Sequence, residues 1–137
     1  MTGATPYFQF PGTARDALER YQQIFGGDVK IWSYGEFGRT DGPADAVAHG
    51  ALDGIVSVFA ADAAEREDSF TSTGFFLSVL GAGDAETSQR WFDALGEGGT
   101  VLDPLQERGW GGSDGQVRDR FGVTWLIGYE LATEPGA

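Results

Sequence analysis

The chain has 137 residues, with 21 acidic side chains against 9 basic ones, a formal net charge of −12 and no cysteine. That length suits one domain with a core of its own. The missing cysteines exclude disulfides, thiolate metal sites and a cysteine nucleophile, and the charge excludes a nucleic-acid phosphate backbone as partner. The acidity serves solubility, or it attracts a cationic small molecule. MTGATPYFQF carries no charged lead, and no stretch reaches the ~18 consecutive apolar residues of a membrane span. A soluble, cytoplasmic protein with no membrane partner is expected.

Tyr7 to Phe10 reads as a short aromatic strand broken at Pro11-Gly12. Thr13 is placed to cap a helix whose apolar residues Ala14, Leu18, Tyr21 and Phe25 recur at helical spacing, widened by Ala17 and Ile24 and stopped at Gly26-Gly27. Asp28 to Tyr34 reads as the next strand. A turn-rich segment, Gly35 to Asp45, follows it, interrupted by Gly38, Gly42 and Pro43. Ala46 to Leu52 and Ile55 to Ala61 form a predicted hairpin across Asp53-Gly54. The acidic run Asp62 to Asp68 reads as a solvated connection.

The pattern then restarts. Gly74 to Leu80 is an apolar strand, and Asp84 a cap for a helix carrying Ala85, Trp91, Phe92 and Leu95; the last three are read as core. Thr100 to Leu102 is the following strand. The closing stretch, WGGSDGQVRDRFGVTWLIGYE from Trp110 to Glu130, reads as a hairpin. Gln116 to Arg118 runs into a turn at Asp119-Arg120-Phe121-Gly122, and the chain returns as Val123 to Tyr129. Asp119 can bond the backbone of the turn it opens.

Arg20-Tyr21 aligns with Arg90-Trp91, and Phe25-Gly26 with Leu95-Gly96, both at an offset of 70. Matched element order at about half the chain length predicts an α+β fold of tandem βαβββ modules, at roughly residues 5–65 and 70–131 of one domain. Neither module can bury its sheet alone, so the two are expected to form a curved mixed sheet with a cleft, helices on the outer face.

With this repeat, PYFQFPGTARDALERYQQIFGG at the start, AHGALDG in the middle and WG..DGQVRDRFGVTW near the end, the sequence resembles the vicinal oxygen chelate superfamily. That group includes glyoxalase I, bleomycin-resistance proteins, thiol transferases acting on fosfomycin and extradiol dioxygenases. The resemblance is nearest to a subgroup often labelled demethylubiquinone-methyltransferase-like. Its recurring features correspond to Ala14 to Gly26, His49, and Trp110 through Trp125. Such motifs speak for the fold more than for an activity.

Metal-dependent members place His or Glu on the first and closing strands of each module, where a divalent ion chelates two substrate oxygens. This chain departs from that pattern. It offers Tyr7 and Gln9, then Ser57 and Phe59, then Phe75, Phe76 and Ser78, and finally Leu126, with one histidine in all. No metal site is expected.

His49 shares a face with Val47 and Ala51, and is either a structural histidine or a ligand contact and proton-transfer group. Trp110 either covers a core or stacks on a ligand. Trp32, Tyr34 and Phe37 lead into the Gly35 to Asp45 segment, as a dimer edge or as a lid. Gly111-Gly112 and Gly96 to Gly99 lack the strand–loop–helix setting of a phosphate cradle, so no nucleotide or other cofactor is expected.

The candidate ligand contacts are therefore Tyr7, Gln9, His49, Phe59, Trp110 and Tyr129, and the catalytic candidates reduce to His49 and Glu36. The leading expectation is a homodimer that binds a small organic molecule, cationic if the acidity is functional. The alternatives are a metal-independent isomerase or lyase, and a metal-dependent lyase or oxygenase with atypical ligands. The methyltransferase label finds no glycine-rich loop suited to a nucleoside cofactor.

Overall fold

The structure is a computed structural model that describes residues 3–130. Its contacts divide the chain into two units, residues 1–71 and 72–137. Unit 1 holds β1 (Tyr7–Phe10), α1 (Ala14–Phe25), β2 (Asp28–Ser33), β3 (Val47–Asp53) and β4 (Val58–Asp62), with sheet order β1-β4-β3-β2. Unit 2 holds β5 (Leu77–Leu80), α2 (Ala85–Gly96), β6 (Thr100–Glu107), β7 (Gly112–Arg118) and β8 (Thr124–Glu130), in order β5-β8-β7-β6.

Counted within its own unit, each sheet reads first, last, third, second. One parallel pair, β1 with β4 or β5 with β8, joins a run of antiparallel ones. The α+β architecture with two βαβββ modules is thus present, and the helix stripes repeat with it. Leu18, Tyr21 and Phe25 are buried on α1, and Ser88, Trp91 and Leu95 on α2, at the same offset of 70. Each large apolar side chain so buried stabilises its unit by about 1.5–3 kcal/mol.

In unit 1 the helix lies over β3 at Gly50, where any Cβ would collide with Leu18. Alternation then sends Phe8, Phe10, Val58 and Ala60 into the core on the helix side. Tyr7, Gln9 and Phe59 are left on the opposite face.

In unit 2 the closing hairpin is built around Asp119. Its Oδ1 accepts from the backbone N–H of Phe121 at 2.8 Å and of Val123 at 3.1 Å, and its Oδ2 from the Trp125 indole N–H at 2.8 Å. Gly122, at φ 87°, supplies the left-handed residue of that turn. Val117, Trp125 and Ile127 are fully buried behind it.

Several local expectations are corrected. Thr13 occupies the cap position of α1, but its side chain makes no capping bond. Asp62, at the end of β4, does so instead, accepting from Ala14 N and from Val47 N, both at 2.9 Å. The run from Asp62 is therefore a solvated connection only over Glu65 to Asp68, which are exposed, and not at its start. Asp62 is buried, its carbonyl accepts from the Tyr34 hydroxyl at 2.5 Å, and Glu67 folds back on Ala64 N at 2.8 Å.

Asp53-Gly54 does not close a two-residue turn. The last pair across the hairpin is Leu52 with Val58, and Ser57 Oγ ties the wider loop to Asp53 and to Gly54. The strand read from Gly74 starts only at Leu77, leaving Phe75 and Phe76 exposed ahead of it. β6 and β7 run longer than read. β6 continues past Leu102 through Pro104, tolerated because it is an edge strand whose register shifts on both sides of Asp103.

Candidate functional site

Register brings the aromatic candidates of unit 1 together. Tyr7 lies opposite Phe59, Phe59 opposite Ala51, and Trp32 opposite His49, so all four rings project from the sheet face turned away from α1. Tyr7 Oη and His49 Nδ1 are 3.0 Å apart. The His49 ring stacks on Trp32 at 5.8 Å and 23°, and meets Phe59 at 5.1 Å; Tyr7 and Phe59 are 5.7 Å apart. Two of these rings stay open to solvent, Tyr7 at 49% and Trp32 at 37% exposure. Exposed aromatic surface of this kind, with few polar groups, is what small-molecule sites use.

A polar border adjoins it. Gln9, next along β1 on the same face, donates from Nε2 to Glu67 Oε2 at 3.3 Å. Glu67 Oε1 in turn accepts from Ala64 N at 2.8 Å and from Arg39 at 3.4 Å. Arg39 pairs bidentately with Asp41 at 3.0 and 2.7 Å, and its guanidinium lies 4.1 Å above the Tyr34 ring.

Each bond leaves its mark on protonation. The Ala64 N–H, with Arg39 and Gln9, holds the Glu67 carboxyl below its ordinary pKa. The Arg39 pairing lowers Asp41 and raises Arg39 itself. Burial pushes the Tyr7 phenol up, Glu67 adds to the rise, and Arg39 opposes it less strongly.

Glu36 lies in the turn after β2, where its Oε1 accepts from Ser33 Oγ at 3.1 Å and from Ser33 N at 3.4 Å. Among the sequence candidates of unit 1, Tyr7, Gln9, His49 and Phe59 thus share one face, while Glu36 serves its own turn. The sequence puts Trp32 on the strand Asp28 to Tyr34, leading into the following segment as a dimer edge or lid rather than as a ligand contact. Strand alternation with Lys30 and pairing with His49 would have placed it here. Arg39 and Glu67 had no local signal, since their contact spans 28 positions.

Trp110 and Tyr129 belong to unit 2. They line a cavity of about 500 Å³ with Leu80, Ser113 and Asp114. Trp110 is 66% exposed, and Arg108 holds the Asp114 carboxylate at 2.7 Å. A further cavity of unit 1, about 630 Å³, runs between Arg15, Tyr34, Asp45 and Asp62. It includes none of the four clustered rings, and its Tyr34 and Asp62 are committed to structural hydrogen bonds, so the ring face is the stronger candidate. No helix among the described residues is long and apolar enough to cross a membrane.

No family model matches the chain. The protein YjdN of Escherichia coli strain K12 is 31% identical over 137 residues, covering 90% of this chain and 92% of that one. Protein PA1353 from Pseudomonas aeruginosa, a solved structure, is 30% identical with a TM-score of 0.80, covering 95% and 98%. Two others share the fold. The PhnB protein from Bacillus cereus, provisionally named a 3-demethylubiquinone-9 3-methyltransferase, has a TM-score of 0.77 at 24% identity, covering 96% and 100%. A glyoxalase/bleomycin resistance protein/dioxygenase family enzyme from Burkholderia phytofirmans PsJN has a TM-score of 0.57 at 16% identity, covering 93% and 96%.

Proposed function

The chain belongs to one family with the proteins YjdN and PA1353 and has the fold of a glyoxalase/bleomycin resistance protein/dioxygenase family enzyme, and on that premise we propose that it is a vicinal oxygen chelate superfamily member that binds a small organic molecule on the ring face of unit 1. The observation that carries this reading is the packed cluster of Tyr7, Trp32, His49 and Phe59 on the sheet side away from the helix, with Tyr7 and Trp32 open to solvent. Ring faces attract cations. With Glu67 bordering Tyr7 and a chain charge of −12, the ligand is an aromatic compound bearing a positive charge.

The divalent ion used by enzymes of the superfamily does not fit these residues. At the positions that carry its ligands this chain presents Tyr7, Gln9, Ser57, Phe59, Phe75, Phe76, Ser78 and Leu126, with no imidazole or carboxylate among them, and the neutral oxygens of Gln9 and the two serines are too weak as donors to hold the ion by themselves. Among the described residues no group of three or more His, Asp or Glu is placed to hold a metal. The proposed binding therefore proceeds through stacking and charge.

The test is thermal unfolding of chelator-treated protein titrated with benzyltrimethylammonium. Ligand at a hundred times its Kd should stabilise by about 2.7 kcal/mol, with or without chelator, and Trp32→Ala should remove the effect. Stabilisation that vanished on chelation would overturn the reading. A second reading, a metal-independent isomerase or lyase, is favoured by one observation, the bond that joins the base His49 to the proton carrier Tyr7. It predicts turnover that His49→Ala abolishes while ligand binding persists.

A further inference from the structure

His49 is held on one nitrogen by Tyr7 and on one face by Trp32, which leaves its Nε2 edge directed away from the phenol. Two hydrogen-bond directions fit a 3.0 Å contact between Oη and Nδ1, and chemistry separates them. A phenol donates strongly and accepts weakly, whereas the bare nitrogen of a neutral imidazole is the better acceptor of the two. The surroundings keep the proton on the phenol as well, because burial and Glu67 both oppose its ionisation more than Arg39 favours it.

We propose that Tyr7 donates to His49 Nδ1 and so fixes neutral His49 as the tautomer protonated at Nε2, which then donates to a carbonyl oxygen of the ligand. Tyr7 is in this respect a positioning residue. The choice of a carbonyl over a carboxylate follows from the same border, since Glu67 and the net charge of −12 disfavour an anion beside the rings. A ligand offering only donors to this edge would meet an N–H and lose the contact. The inference rests on the binding reading above and adds what the ligand must present to it.

His49 is the one histidine of the chain, so nitrogen-15 labelling gives a single pair of ring resonances. At alkaline pH, where imidazole is neutral, the expected result is a pyridine-type Nδ1 and a pyrrole-type Nε2. Tyr7→Phe, which keeps the ring beside Phe59, should drift toward the tautomer mixture of free imidazole. A pyrrole-type Nδ1 in the wild type, or a tautomer ratio unmoved by Tyr7→Phe, would overturn the assignment.

The ligand half is read with two uncharged probes of one ring system. 1-Naphthamide should bind about three- to tenfold more tightly than 1-methylnaphthalene, and Tyr7→Phe should narrow the difference. Equal affinities in the wild type would overturn the carbonyl preference. Should neither these probes nor benzyltrimethylammonium bind while the resonances are as expected, the binding reading of this face fails and the tautomer assignment stands.

Discussion

Glu67 shows how one side chain can be misread from its neighbours in sequence. Within an acidic run it looks like one more solvated charge, yet its carboxylate accepts from Ala64 N, Arg39 and Gln9. These contacts hold its pKa below the ordinary 4.5, the Ala64 N–H contributing most. A depressed carboxylate adds stability that is present above 4.5 and is lost as pH falls through the folded-state value. Glu67→Gln should therefore lower the melting temperature at neutral pH. The gap from wild type should begin to close below about 4.5 and vanish at lower pH; a gap constant across that window would show that the charge is not what stabilises. That Tyr7, His49 and Phe59 share a sheet face was legible because strand alternation is local information. Glu67 and Arg39 were not, because what defines them is a contact between distant segments that no periodicity reports.

The start of α1 carries the same lesson at the scale of an element. Thr13 before an apolar helical stripe is a sound capping signal, but its backbone, at φ −113° and ψ 12°, does not aim the hydroxyl at the first turn. A carboxylate 48 positions away takes the role, and one Asp62 oxygen for each of Ala14 N and Val47 N ties the helix, β3 and β4 together. Leaving two buried donors without an acceptor costs about 1–3 kcal/mol each. Asp62→Ala should thus lose about 3 kcal/mol in urea unfolding followed by circular dichroism, while Thr13→Ala should change stability by no more than about 0.5 kcal/mol. The reverse order would restore the local cap. Element order and both helices were readable because the 3.6-residue stripe, Asp84 and the Asp119 turn each lie within a few residues. The extents of β6 and β7 were not. Pro104 and the register shifts around Asp103 look like strand breakers until an edge position makes them tolerable.

At the scale of the whole molecule, charge and apolar surface pull in opposite directions. The sheet of each unit ends on two edge strands, β1 and β2 in one and β5 and β6 in the other. Large apolar side chains outside the ring face stand exposed on or beside these edges: Phe37 in unit 1; Phe75, Phe76, Leu80, Val101 and Leu102 in unit 2. Unpaired edges flanked by such residues invite association, and a two-fold contact between identical chains covers the same surface on each with no second gene product. Against this, two chains of −12 repel. The repulsion acts through solvent, however, and at physiological ionic strength it is screened beyond about 8 Å. A contact of ordinary size buries about 1,600 Å², enough apolar area to outweigh the residue. We propose a homodimer on these grounds. Light scattering at micromolar concentration and physiological salt should give twice the chain mass of 14.6 kDa, with dissociation favoured as salt is withdrawn and the screening length grows. Phe75→Glu, exposed and outside any strand, should favour the monomer without unfolding unit 2. A wild-type mass of 14.6 kDa under those conditions would refute the dimer, while leaving the ring face of unit 1 to be judged by ligand binding alone.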